Sequence, residues 1–312
     1  MIDDPLMQTL VEGAMDVDVQ DYRPAVLFLN GRYWGVHNIR EKLNRHYAAS
    51  NYGVDPDEID IVEGDGLAKA GDAVHYRSTI DYLETHDLSR HEAYERVGQL
   101  LDVVEYMNVQ IALIYYGPSD NFFKNVKSWR PRTAAGRWRW FLYDTDHGFY
   151  NFRTNAVKLA TDPQAENRFG DISWGTLILR KLLENHSFKD DFIQRFAAHI
   201  NYTFAVDRVV SVVDSLEAGI AAEMPRHIQR WKDECAEHAW WGPFCGIASM
   251  DKWKNEVNRL RSFAKNRPVH VRRHLSEYFN LPDLVELEVV VGESSGGHVL
   301  VNDVPASGEG LF

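Results

Sequence analysis

The stretch SDNFFKNVKSWRP (residues 119–131), with WFLYDTDHGF (residues 140–149) close behind it, decides how this chain is read. Together they set Asp120, Asn125, Asp144 and Asp146 in one short span between strongly apolar segments. Carboxylate and amide oxygens are hard ligands, suited to Mg²⁺. Asp144 and Asp146, two apart on an extended segment, point to the same face. Each motif also has an ordinary reading, because Asp-x-Asp closes turns and Asp or Asn caps helices. Their order along the chain favours the chemical reading.

Working outward, the segment before the motif, DVVEYMNVQIALIYYG, is apolar nearly all round, as a helix at the centre of a domain should be. It spans about 102–116, and helices at about 73–85 and 90–99 precede it. Residues 54–72 are acidic and turn-rich, which predicts a surface loop with one short strand, Ile59 to Val62. Further upstream, AVLFLNGRYWGVHNIREKL places Asn30-Gly31 between two apolar runs. That pair is a strong hairpin signal because both residues tolerate positive φ, so strands are expected at 25–29 and 33–39. A helix closed by Gly53 follows the hairpin. Leu6, Leu10, Val11 and Met15 recur at helical spacing and predict a helix over 5–16.

Downstream of the motif, RWRWFLYDTD predicts a strand over 137–143 ending at the two acids. The remainder to residue 279 is helical, with Val209, Val212, Val213, Leu216 and Ile220 on one stripe. The tail changes to a strand, a Gly/Ser turn and a second strand, and a lone ribbon of that kind is marginal. The fold class is therefore α+β, with a mostly helical C-terminal half and a short C-terminal β-hairpin.

Composition limits the function classes. The 312 residues carry 34 Lys+Arg against 46 Asp+Glu, a formal charge of -12. Such a chain repels a phosphate backbone, so general nucleic-acid binding is excluded. Lys124, Lys127, Arg130, Arg132, Arg137 and Arg139 nevertheless form a basic stretch at the motif, a candidate place for an anionic ligand. Cys235 and Cys245 make neither a disulfide framework nor a zinc site, which leaves two free thiols or at most one bridge. No window is apolar enough for a membrane span, and the acidic opening MIDDPLMQTLVEGAMD is unlike a signal peptide. Trp34, Trp138, Trp140 and Trp174 are expected to pack, and Trp240, Trp241 and Trp253 to cluster near Cys245.

Asp120 and Asn125 stand five apart, the spacing of the acid and amide in the catalytic loop of protein kinases, and Asp146-His147-Gly148 stands where such enzymes carry a metal-binding Asp-x-Gly. The blocks YRPAVLFLNGRYWGVHNIREKLNRHY, SDNFFKNVKSWR, WRWFLYDTDHGF and LRKLLENHSFKDDFIQRFA resemble, in order, the kinase family of spore coat protein H, the CotH kinases. The likeness runs from about residue 5 to about residue 281. It implies an atypical kinase-like fold using Mg²⁺ and ATP to phosphorylate Ser or Thr of secreted, surface or coat proteins. By the same resemblance Asp120 is the catalytic acid, Asn125 and Asp146 are magnesium ligands, and Asp144 is a further acid of the metal shell. The hairpin then leads into the hinge and sets Arg40 and Glu41 near the adenine; their plainer reading is a surface salt bridge.

Departures accompany the match. The family's RG.S block and KK pair precede the hairpin, and this chain begins after them, so an incomplete N-terminal lobe is expected over about 1–42, ahead of a helical lobe to 281 and a β segment from 282 to 312. Neither Lys42 nor Lys69 is expected on a strand suited to replace the missing lysine. His147 stands where the family carries an aromatic residue, and packing is its default role. The alternative function is a catalytically silent surface or scaffold module. A metal-dependent hydrolase accounts for the acids but not for Asn125.

Overall fold

The computed structural model describes residues 2–118, 122–167, 170–237, 246–290, 299–306 and 308–311. Asp120, Trp240, Trp241 and Cys245 lie outside them.

Helix α1 (Asp3–Val11) is shorter than the predicted 5–16, since the chain turns at Gly13, whose φ is +66°. Leu6, Met7, Leu10 and Val11 are fully buried in the main core. The hairpin of β1 (Tyr22–Leu29) and β2 (Arg32–Arg40) forms where Asn30-Gly31 predicts it, with φ of +50° and +77° at the two turn residues. Both strands outrun the predicted limits. Helix α2 (Arg45–Tyr52) starts on the Asn44 carboxamide, which accepts from the His46 and Tyr47 amides, and stops at left-handed Gly53.

Within residues 54–72 the strand expected at Ile59 to Val62 is present, but a second strand joins it and the segment is part of a sheet rather than a surface loop. The two are β3 (Ile59–Glu63) and β4 (Leu67–Ala70), which join β5 (Lys127–Pro131) and β6 (Arg139–Trp140) in an antiparallel sheet of order β4-β3-β5-β6. Ile59, Ile61 and Val62 are buried. Asp60 is buried with them because Arg130 (3.0 Å) and Arg132 (3.1 Å) compensate its charge. The same pairing answers the basic stretch: Arg132 also meets Asp72, Arg137 meets Asp102, and Arg139 meets Asp16, Asp18 and Asp102. Those four arginines are engaged by carboxylates and do not form an open anion site. Lys69 sits on β4, in an exposed pair with Glu63 (3.4 Å).

The strand predicted over 137–143 shrinks to β6, because beyond it the backbone finds other partners. The Phe141 amide still donates to Lys127 O of β5, but the Leu142 amide turns to Asp18 O. The Trp140 amide, on β6 itself, is held by both oxygens of buried Glu105 (3.0 and 3.1 Å). Burial, then the nearby Asp18 charge, pushes the Glu105 carboxyl well above its usual range.

Helices α3 (Val74–Thr85), α4 (His91–Leu100) and α5 (Val103–Tyr116) follow the predicted order, and α5 is buried on every side in its second half. Then come α6 (Ala156–Thr161), a short pair β7 (Glu166–Asn167) and β8 (Gly170–Asp171), and helices α7 (Trp174–Leu182), α8 (His186–Asn201), α9 (Val206–Ala221), α10 (Met224–Glu237) and α11 (Met250–Phe279). Helix α10 braces the hairpin. A Cβ at Gly35, whose φ is +118°, would come within 2.7 Å of His227 and 2.8 Å of Trp231. His227 accepts from the Val36 amide, and Trp231 donates to Trp34 O. Trp138 and Trp140 are buried in the core, as expected, whereas Trp34 and Trp174 are half-buried. Cys235 is disulfide-bonded, so of the two readings the bridge stands.

The tail contains β9 (Glu286–Val289), β10 (Val299–Val301), β11 (Val304–Ala306) and β12 (Gly308–Leu311), paired β9 with β12 and β10 with β11. The expected Gly/Ser turn lies outside the described residues. Asn302 and Asp303, both at positive φ, make the turn between β10 and β11. They also anchor it on α8, through Gln194 O (3.0 Å) and Arg195 (2.6 Å). No helix among the described residues is long and apolar enough to cross a membrane.

Arg267 of α11 joins the two halves of the core. Its guanidinium is fully buried and donates to Ile114 O (2.6 Å), Tyr115 O (2.8 Å), Phe152 O (2.9 Å) and Thr154 O (2.7 Å). Two of these are carbonyls in the last turn of α5, which no later turn of the helix can satisfy. Burial lowers its pKa to about 10, which leaves it charged at neutral pH. Arg267→Met should strand several buried acceptors, each worth about 1–3 kcal/mol when unsatisfied. We expect urea denaturation to show a loss of roughly 4 kcal/mol or more; a loss under about 1 kcal/mol would mean that water replaces the guanidinium.

Candidate active site

The two acids stand on a loop with unusual backbone at both ends, since Asp144 (φ +53°) and Phe149 (φ +60°) are left-handed. Between them the Gly148 amide donates to Thr145 O (2.8 Å), closing a tight turn. Phe149 anchors the far end: it is fully buried, stacks on Phe263 with centroids 4.3 Å apart, and its amide donates to Tyr116 O (2.9 Å) at the end of α5. Gly148 is needed for close approach. A Cβ there would lie 2.5 Å from Met7 Sδ and 3.1 Å from both Thr145 O and Tyr116 Cβ.

The structure brings three of the predicted site residues together. Asn125 donates from Nδ2 to Asp144 O (3.2 Å), so its carboxamide oxygen is the atom left for a cation. Asp144 and Asp146 are close enough to repel: burial first, and the Asp144 charge second, hold the Asp146 carboxyl above its usual range. Asp144, Asp146 and His147 reach the surface. His147 therefore does not pack in the core, contrary to its default reading, and its charge acts on Asp146 in the opposite direction to that of Asp144.

Asp120 lies outside the described residues. Phe122, the first described residue after it, is tightly placed, because a Cβ at Gly175, at the start of α7, would lie 1.8 Å from Phe122 O. That constraint is missing from the sequence reading. A cavity beside Asn125, walled by Phe122, Tyr106 and Trp140, measures about 30 Å³ and holds no more than a water.

Arg40 is linked to the acid loop through one carboxylate. Its guanidinium pairs with Asp4 Oδ2 (2.5 Å), and Asp4 Oδ1 accepts from both the amide (3.1 Å) and the hydroxyl (2.8 Å) of Thr145, the residue between the two acids. Glu41 turns elsewhere, to the Asp21 amide (3.2 Å), while its carbonyl accepts from Gln20 (2.6 Å). Arg40 and Glu41 line a cleft of about 520 Å³ with Thr9, Gln20, Tyr22 and Arg23, a volume in the range of small-molecule sites.

Asp4 is the other residue that the sequence reading missed. Its only signal is an acidic first turn on an N-terminal helix, which ordinary helix-dipole chemistry explains. Among the described residues no group of three His, Cys, Asp or Glu side chains is arranged to hold a metal.

A family model described as CotH kinase protein matches residues 1–271. No curated protein matches the chain.

Proposed function

The chain belongs to the CotH kinase family, and on that premise we propose that it transfers the γ-phosphate of ATP to Ser or Thr hydroxyls of a protein substrate. The observation that carries this reading is the meeting of Asn125, Asp144 and Asp146 at one pinned loop.

The donor set fits Mg²⁺. It offers carboxylate and carboxamide oxygens, and the repulsion between Asp144 and Asp146 is of the kind a cation relieves. Mg²⁺ in phosphoryl-transfer sites takes one or two carboxylates and fills its remaining positions with phosphate oxygens and water, so a cluster of three acids is not required. When bound, the ion supplies neutralisation of the phosphate charge. Asn125 Oδ1 and Asp146 would hold it, with Asp144 as the neighbouring acid. Asp120 would accept the proton of the acceptor hydroxyl. Arg40 and Glu41 would form a wall of the nucleotide cleft, Arg40 adding positive charge beside the acid loop.

Secreted, surface or coat proteins are the substrate class we assign by family. The disulfide at Cys235 accords with such an oxidising setting.

A second reading, a catalytically silent scaffold, draws on one observation. Four of the basic residues at the motif are engaged by carboxylates, which leaves little cationic compensation for a triphosphate. Incubation with γ-labelled ATP and either dephosphorylated casein or the protein itself separates the two. Label incorporated with Mg²⁺ and abolished by EDTA is expected. ATP binding without incorporation would select the scaffold.

A further inference from the structure

Helix α1 touches the acid loop along its whole length. Gln8 Nε2 donates to Leu142 O (2.8 Å) ahead of the loop, Asp4 accepts from Thr145 between the acids, and Met7 lies against Gly148. At the far end Asp3 pairs with Arg259, whose guanidinium donates to Phe149 O (2.9 Å). Positions 3, 4, 7 and 8 are neighbours on one helix face, so a single face of α1 splints residues 142–149. Left-handed non-glycine residues such as Asp144 and Phe149 persist only where the surroundings impose them.

We propose that Asp4 is the positioning residue of this site, a role that rests on the kinase reading and deepens it. Of the α1 contacts, its bonds alone reach the residue between Asp144 and Asp146, and they hold both the amide and the hydroxyl of fully buried Thr145. With both carboxylate oxygens engaged, the second on Arg40, it also makes the end of β2 and the acid loop move as one body. A ligand in the cleft walled by Arg40 thereby sets the aim of the two acids.

The competing explanation is that Asp4 only adds stability, and two measurements on the intact chain separate these roles. The first is amide exchange of the metal-free protein at Thr145 and Asp146, compared with α5. The second is the Mg²⁺ concentration giving half-maximal ATP binding. In Asp4→Ala, loss of a charged hydrogen-bond acceptor should speed exchange at Thr145 about tenfold while α5 is unchanged, and should raise the Mg²⁺ half-point by about tenfold. Asp4→Asn, which keeps an oxygen for Thr145 but loses the Arg40 ion pair, should recover the Thr145 protection and only part of the Mg²⁺ dependence.

Equal acceleration at Thr145 and α5 would reveal a general loss of stability and overturn the proposal, as would unchanged exchange in Asp4→Ala. Local acceleration at Thr145 in a protein whose wild type binds no Mg²⁺-ATP would uphold the splint while rejecting the kinase reading.

Discussion

Asp120→Ala is expected to leave Mg²⁺-dependent ATP affinity within about twofold of wild type while cutting phosphate transfer roughly 10²- to 10⁴-fold, the range for a positioned acid–base group. The separation follows from the division of labour we assign. Asn125 and Asp146 hold the ion, whereas Asp120 acts on the acceptor hydroxyl and has no part in the nucleotide's resting contacts. Loss of ATP binding in this variant would place Asp120 among the metal ligands. Unchanged transfer would remove it from the mechanism.

Several elements were legible in the sequence because their signals are local. Asn30-Gly31 specifies the hairpin through the backbone its turn requires. The continuous apolar surface of residues 103–116 specifies a central helix, and the motif's order along the chain places Asn125 close enough to bond the Asp144 carbonyl. What the sequence concealed depends on partners far along the chain. The strand at Ile59 to Val62 was legible, but Asp60 makes it look like part of the surface until Arg130 and Arg132, far along the chain, compensate the charge and permit its burial. The same pairs empty the basic stretch of its apparent role, since an arginine's partner cannot be read from its own neighbourhood.

Asp4 shows the limit most plainly. In sequence it is a routine acid in the first turn of a helix, and its bonds to Thr145 span 141 positions. His147 misled in the opposite sense: an aromatic position suggested packing, yet the turn closed by Gly148 leaves the ring at the surface, and the following Phe149 fills the core instead.

The central claim is that Asn125 and Asp146, with Asp144 as the neighbouring acid, hold a nucleotide-bound Mg²⁺. Asp146→Ala removes the carboxylate we place on the ion and the repulsion with Asp144 at the same time, so the variant should be at least as stable as wild type. A loss of binding would therefore report on ligation and not on unfolding. Titration calorimetry of wild type and Asp146→Ala with ATP, with and without Mg²⁺, tests this directly. The account predicts Mg²⁺-dependent binding in the wild type and none measurable in the folded variant; equal binding by both proteins, or binding by neither, would contradict it.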